Sequence, residues 1–213
     1  MEPRERRARC IAGSRSGLQV RKSASTRQQI LDAALECLLE AGYAATSTTM
    51  VVERAAVSRG ALLHHYPSRI DLIRAVVEYL YAKRLRAFRV ATMSAPVGPG
   101  RLHRVLDTYW EQIQHPLYRV FLELAVLSRT KPELARILAP IERSFDLELR
   151  RVARELFPEW RDLGDPFESA FEFCMLVMEG VALSMVQHGR VLQKERVLRF
   201  LVQQIQEIAG REL

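Results

Sequence analysis

The chain has 213 residues, of which 48% are hydrophobic, and its formal net charge is +7. The apolar fraction is large enough for a substantial core and excludes a wholly disordered chain. The positive charge favours polyanionic partners, with nucleic acid as the first candidate and a membrane surface as the second.

Positive charge is concentrated at the start of the chain. Residues 1–22 contain seven Arg or Lys and two Glu, a net charge of +5. Because this segment is rich in Arg, Ser and Gly and lacks apolar periodicity, we predict a disordered basic arm. Such an arm either adds non-specific contacts with phosphates and the minor groove, or is a solvated leader without a role.

Residues 23–69 are predicted to form three short helices. The first begins near Thr26, at a sequence that resembles a capping box, and stops at Gly42. The second is entered through a run of Thr and Ser, and small apolar residues fill the turn that follows it. The third is capped by Ser58 and ends before Pro67. Two short helices joined by a tight turn are the layout of a helix-turn-helix.

The remaining residues, 70–213, are predicted to form a larger helical domain. Ser68 caps a long fourth helix, and Ser94–Gly100 is a break. Further helices are predicted over residues 101–114, 116–130, 132–156 with a kink at Pro140, 167–187 and 194–208. Since no segment alternates like a strand, the predicted fold class is all-α, with about nine helices and an N-terminal trihelical head.

Several classes of protein are not favoured by the sequence. No apolar run approaches the roughly 20 residues that span a bilayer, and no secretory signal is recognisable. The three cysteines are far apart, which suggests neither disulfides nor a metal site and fits a reducing cytoplasm. Motifs of the HExxH, GxSxG, P-loop and GxGxxG types are missing, so we predict no enzymatic activity and no cofactor.

A group of short motifs runs through the predicted head and into the residues just after it. They are Ile-Leu-x-Ala-Ala at 30–34, Gly-Tyr at 42–43, Ala-Ala-Val-Ser-Arg-Gly at 55–60, His-Tyr at 65–66 and Asp-Leu at 71–72. In this combination the stretch from Thr26 to Tyr79 resembles the TetR family of transcriptional regulators. The resemblance implies a dimeric, sequence-specific DNA-binding protein, usually a repressor that a small, mainly hydrophobic ligand releases from a palindromic operator.

The resemblance also implies which residues meet DNA. These are Thr48, Arg59, Gly60, Ala61, His64, His65 and Arg69. Arg27 is a further candidate for a phosphate contact, because of its charge. Arg59 can donate two hydrogen bonds to one guanine, and the small Gly60 and Ala61 allow close approach to the bases. Ala56 stands where the family usually has Gly, so we expect no positive φ at this turn. Leu63 replaces a commonly found Tyr that touches phosphate.

The apolar residues of the predicted helix over 167–187 cover more than one stripe, and the last helix has one clean apolar face. The resemblance implies that these two helices form a two-fold, four-helix dimer interface. Its predicted residues are Phe171, Gly180, Val181, Met185, Val197, Leu198, Leu201 and Ile205. A ligand pocket is predicted from the aromatic, polar and Met side chains Tyr109, Trp110, Gln114, Tyr118, Phe121, Met175 and Met178. For both sets the alternative is an ordinary intramolecular core.

The predicted partners are therefore double-stranded DNA with an inverted repeat, a small effector and a second copy of the chain, but no membrane. A competing hypothesis is a helical interaction module whose basic tail binds RNA or a membrane surface. That hypothesis leaves the compact surface around Arg59 and His64 without an explanation.

Overall fold

The structure is a computed structural model that describes residues 3–93, 98, 100–160, 164–188 and 193–209, with side chains described from residue 20 onward except those of 159, 188 and 209. Nine helices and a short 3₁₀ turn, but no strand, occupy these residues, which confirms the all-α prediction. The helices are α1 (Pro3–Ala45), α2 (Thr48–Ala55), α3 (Arg59–His65), α4 (Arg69–Met93), α5 (Arg101–Gln114), α6 (Pro116–Ser128), α7 (Pro132–Leu156), α8 (Asp165–His188) and α9 (Lys194–Ala209). The chain divides into two compact units, Met1–Val76 and Val77–Leu213.

Helix α1 is longer than the sequence pattern predicts. Its backbone is helical from Pro3, so the prediction of disorder is wrong for residues 3–22. The hydroxyl of Thr26 donates to the carbonyl of Lys22 at 3.0 Å, which places Thr26 inside the helix instead of at its cap. The segment is rich in Arg, Glu, Ala, Leu and Gln, which all favour helix. Their helix propensity outweighs the cost of its two glycines. The helix is interrupted at Gly42, where φ is 75°, as predicted.

Side-chain caps fix the two short helices of the head. Ser47 Oγ accepts from the N–H of Met50 at 3.3 Å, and Ser58 Oγ accepts from the N–H of Ala61 at 3.1 Å. Each bond satisfies a helix N–H that has no partner within the helix, a contribution of about 1 kcal/mol. The predicted cap at Ser58 is confirmed.

The turn between α2 and α3 corrects one expectation. Ala56 has a φ of 51° and a ψ of 40°, so this residue does adopt the left-handed conformation. The conformation lets the N–H groups of Ala56 and Val57 reach the carbonyls of Glu53 and Val52, each at 3.2 Å. A left-handed residue that is not glycine costs about 1–2 kcal/mol, and the hydrogen bonds that end α2 offset this cost.

Helix α4 begins with the predicted cap at Ser68. Ser68 Oγ accepts from the N–H of Asp71 at 3.2 Å and donates to the Asp71 carboxylate at 2.6 Å. Leu72, Ile73 and Val76 of its first turns are buried. The N-terminal unit therefore extends into α4, beyond the boundary at residue 69 that the motif suggested.

The C-terminal unit consists of the rest of α4 and helices α5 to α9. Helices α5 and α7 have the predicted bounds, and α7 continues through Pro140. Its core is apolar and aromatic, and includes Phe88, Trp110, Leu149, Phe167, Met178 and Leu198. The predicted break at Ser94–Gly100 lies largely outside the described residues.

Candidate nucleic-acid interface

Helix α3 has one face in the core of the head and one face in solvent. Leu62 is completely buried, and Tyr66, which follows the helix, is buried as well. The opposite face exposes Arg59, Gly60, Leu63 and His64. These four residues follow the spacing i, i+1, i+4, i+5, so they form one continuous surface on the first two turns of the helix.

The protein itself gives no reason for a glycine at position 60. A Cβ added to Gly60 would meet only Ser58 Oγ, at 3.9 Å, and the backbone there is helical. A residue without a side chain is instead useful where another molecule must approach the helix backbone closely. Gly60 therefore leaves the helix backbone open to close approach on this face.

Leu63 belongs to the same surface, although it was not predicted as a contact. Its side chain is 43% exposed and lies one turn beyond Arg59. An apolar side chain at this place can contact a thymine methyl group in the major groove. The sequence carried a signal for this role, because Leu63 is the one large apolar residue of α3 that falls outside the buried stripe.

Arg59 and Arg54 differ in the partners they have. Arg54 is paired with the carboxylates of Glu40 and Glu36 on α1. Arg59 forms no ion pair with any residue that the structure describes. Arg27 is exposed, and its Nε donates to the hydroxyl of Tyr66 at 3.3 Å. Arg59 and the remaining N–H groups of Arg27 are thus free to bind an anion or a base edge.

Arg69 has a structural role within the head, and its predicted position beside the DNA backbone stays a prediction. Its Nε donates to the carbonyl of Thr46 at 3.1 Å and its Nη2 donates to the carbonyl of Tyr43 at 2.6 Å. The guanidinium also lies 4.3 Å from the centre of the Tyr43 ring. Helix α1 ends at Ala45, where the last carbonyls of a helix have no partner within it, and Arg69 satisfies the carbonyls of Tyr43 and Thr46.

The other predicted contacts lie around the edge of this face. Thr48, Ala61 and His65 are all partly buried. Thr48 is the first residue of α2, where backbone N–H groups are available to a phosphate. The ring of His65 meets the edge of the His64 ring at 5.3 Å, so His65 lies beside the exposed face and not on it.

An exposed apolar surface runs along α8 and α9. Its most exposed residues are Leu176 (70%), Phe200 (61%), Val186 and Leu183. A groove beside them is lined by Phe173, Val177 and Val197. Exposed apolar side chains in such number on two adjacent helices are typical of a surface that another protein covers.

This surface differs from the predicted dimer face. Val181, Leu198, Leu201 and Ile205 are buried within the chain, and Phe171 lines an internal cavity. Val181, Leu198 and Ile205 therefore have little surface left for a partner, whereas Leu201 also lines the groove and Phe171 is partly exposed. Of the other predicted residues, Gly180 is open to solvent, Val197 lines the groove, and Met185 borders a pocket with Gln114.

Helix α8 is also apolar and long enough, over Asp165–Gln187, to cross a membrane by length and composition. This differs from the expectation that no segment approaches that length. The same apolar content follows from two faces that both need cover, one in the core around Met178 and one at Leu176.

An apolar cavity of about 70 Å³ lies inside the C-terminal unit. It is lined by side chains that include Phe88, Tyr109, Phe157, Trp160, Cys174 and Met175. The indole N–H of Trp160 is buried and has no acceptor in the described part of the chain. Burial raises the pKa of the Cys174 thiol to about 12, so the thiol stays protonated and behaves as a small apolar group.

The predicted pocket residues do not come together in one cavity. Tyr109 and Met175 line it, whereas Trp110 and Met178 are packed in the core. Gln114 and Tyr118 border two other pockets, and Phe121 packs against the rings of Tyr81 and Tyr118. Trp160 and Phe157 were missed because they lie in a connection where helical spacing gave no signal.

Comparison with known proteins agrees with this geometry. Residues 30–76, which include α2, α3 and the start of α4, match the model of the bacterial regulatory proteins of the tetR family. The HTH-type transcriptional regulator TcmR of Streptomyces glaucescens is 30% identical over 190 residues, which cover 86% of this chain and 78% of TcmR. The transcriptional repressor AcnR of Corynebacterium diphtheriae is 27% identical over 174 residues, which cover 81% of this chain and 87% of AcnR.

A solved transcriptional regulator from Rhodococcus shares the fold. Its TM-score is 0.66 at 21% identity, with 88% of this chain and 98% of that chain covered. Family model, full-length relatives and fold thus agree with a head whose α3 exposes a reading face. The chain belongs to the TetR family of bacterial regulatory proteins and is a DNA-binding transcriptional regulator.

Proposed function

We propose that the chain is a homodimeric repressor that binds an inverted-repeat operator and is released by a small, mainly hydrophobic effector. The observation that carries the proposal is the exposed face of α3, with Arg59, Gly60, Leu63 and His64 opposite a fully buried Leu62. A short helix that shows its N-terminal residues in this way fits the major groove. Repression is favoured over activation because AcnR is named a transcriptional repressor.

The apolar surface of α8 and α9 supports the dimer. Each chain has one reading helix, and a single short helix contacts too few base pairs for high specificity. Covering Leu176, Leu183 and Phe200 with the same residues of a second copy removes their apolar area from water. Two heads related by two-fold symmetry then read half-sites about 34–36 Å apart, or a multiple of that distance.

The cavity behind Trp160 supports the effector. Its apolar lining favours a mainly hydrophobic ligand, and the unpaired indole N–H favours one that carries a hydrogen-bond acceptor. A volume of about 70 Å³ is far below the ~300–1,000 Å³ of most ligand sites. The effector therefore fits only when the lining helices separate, and it favours that conformer by its differential affinity.

Helix α4 provides a route from this cavity to the head. Its residue Phe88 lines the cavity, while its first turns belong to the N-terminal unit. A displacement of α4 by the ligand would change the separation of the two heads and their match to the half-sites. This mechanism requires no contact between ligand and DNA.

A mobility shift with the DNA that flanks the protein's own gene tests this function. We expect binding without ligand, and release by at least one compound from a panel of apolar ketones and lactones that also raises the melting temperature. Replacing the cavity residue Ala170 by Leu should fill the space, leave DNA binding intact and abolish release. Release that is unchanged in Ala170→Leu would place the effector elsewhere.

Gly60→Ala is expected to separate folding from DNA reading. The added methyl group has open space in the protein, so the free energy of unfolding should stay equal or rise by about 0.5–1 kcal/mol. Against DNA the same methyl group should cost about 1–3 kcal/mol in each head, because it prevents close approach. Chemical denaturation and operator titration measure the two effects, and unaltered operator affinity would contradict the assignment of α3.

A further inference from the structure

Arg84 of α4 is a buried cation. The residue is only 8% exposed. The guanidinium carbon lies 4.7 Å, 5.2 Å and 5.1 Å from the ring centres of Tyr118, Phe121 and Phe145. Cation–π contacts with three rings stabilise the charge partly, but the buried Nε–H has no acceptor in the described part of the chain.

Arg84 has no carboxylate partner among the described residues. Its guanidinium forms no ion pair there, and its buried Nε has no hydrogen-bond acceptor. The acids on neighbouring helices are Glu142, which accepts from the Tyr81 hydroxyl at 3.5 Å, and Glu179. Loss of water raises the pKa of both carboxyls, although Arg84 partly opposes this at Glu179. A buried, unpaired cation is costly, which indicates that its counter-ion comes from outside the chain.

The hydroxyl of Tyr118 is a second buried group without a partner. Tyr118 is 2% exposed, and its oxygen has no hydrogen bond within the described part of the chain. Burial raises the pKa of Tyr118 to about 12, so at neutral pH the hydroxyl is a donor. An incoming anion would satisfy both this donor and the guanidinium.

Arg84 and Tyr118 line the same groove, which has a volume of about 290 Å³ and opens to solvent. Its mouth carries Lys83 and His115, and Ala87, Ala91 and Leu117 give it an apolar part. Lys83 and Glu111 carry opposite charges in this lining, and His115 Nδ1 accepts from the N–H of Leu117 at 3.2 Å. The groove has room for an anion together with a short apolar tail.

We infer that this groove binds an organic monocarboxylate, whose carboxylate is held by the Arg84 guanidinium and the Tyr118 hydroxyl. A planar guanidinium matches the two oxygens of a carboxylate, and one buried positive charge is balanced by one negative charge. A phosphate dianion would leave excess negative charge near Glu179. The site is separate from the apolar cavity behind Trp160 and does not depend on DNA binding.

The test uses the full chain without DNA and matched probe pairs, namely hexanoate, octanoate and benzoate against their primary amides, with inorganic phosphate as a further probe. Calorimetry at pH 7 should show a carboxylate binding at least 10-fold more tightly than its amide. Arg84→Met should weaken carboxylate binding roughly 10- to 100-fold and leave the amide unchanged. Arg86→Met, which removes an exposed arginine from the same helix, should change neither.

Tyr118→Phe keeps the ring and removes the hydroxyl, and should weaken carboxylate binding about 2- to 10-fold. This variant decides the matter if Arg84→Met does not fold, as judged by circular dichroism. The assignment would be overturned if the amide bound as tightly as the carboxylate, or if phosphate did. It would also be overturned if Tyr118→Phe and folded Arg84→Met both kept full affinity for the carboxylate. A failure to release DNA in the mobility shift would leave the carboxylate assignment intact, because the calorimetry is done without DNA.

Discussion

Leu176→Glu is expected to turn the proposed dimer into a monomer and to weaken operator binding at least about 100-fold. Leu176 is the most exposed apolar residue of α8, so the introduced carboxylate changes nothing in the core of one chain. In a two-fold interface the substituted side chains of both copies enter the same small region, where their charges repel and lose water. The monomer keeps one head and loses the avidity of two linked heads, an effect of about 10²–10⁴.

Sedimentation velocity and operator titration measure the two consequences. Leu147→Glu is the matched control, because Leu147 is an exposed leucine of α7, at 63%, that lies outside the α8 and α9 surface. It should leave both the dimer and the affinity unchanged. A persistent dimer in Leu176→Glu would show that the copies meet through another face.

Arg59→Ala is expected to reduce strongly the discrimination between the operator and unrelated DNA. A guanidinium that binds guanine contributes about 1–3 kcal/mol of discrimination, and two heads double this to about 2–6 kcal/mol. Operator affinity should therefore fall at least roughly 30-fold, while binding to unrelated DNA falls much less. Folding should be unaffected, because Arg59 is exposed and has no ion pair within the described residues.

Arg74→Ala serves as its control, since it removes the same charge from an exposed position on α4 of the same unit. Competitive titration with operator and scrambled DNA at two salt concentrations separates specific from electrostatic binding. Equal losses in Arg59→Ala and Arg74→Ala would mean that Arg59 acts only through its charge and reads no base.

Local chemistry made most helix boundaries predictable. Ser58 and Ser68 were predicted as caps, because the first N–H groups of a helix need an acceptor. The hydroxyl oxygen of each does accept from the N–H three residues later. Gly42 interrupts α1 because it tolerates a φ of 75°. Short-range rules such as these depend on residues that the sequence places side by side.

Ala56 shows where such rules stop. The turn demands a left-handed residue so that the last carbonyls of α2 are satisfied, and it imposes this conformation on an alanine. Residue identity alone therefore pointed to the wrong φ. The cost to the alanine is local, whereas the benefit comes from hydrogen bonds that the turn makes as a whole.

Apolar periodicity identified the faces of α9 but not what covers each of them. Leu198, Leu201 and Ile205 form the clean stripe, and the chain's own core covers it. The surface left for a partner includes Phe200, which lies outside that stripe. Burial inside the chain and burial against a second copy require the same residue types, so the pattern does not distinguish them.

The three contacts of Arg69 have a mechanical consequence. They tie the first turn of α4 to the carbonyls of Thr46 and Tyr43, between α1 and α2. Bending at this joint would break two charge-assisted hydrogen bonds and a cation–π contact at once. The first turn of α4 is therefore held firmly within the N-terminal unit, and separating it from the rest of that unit would cost all three contacts together.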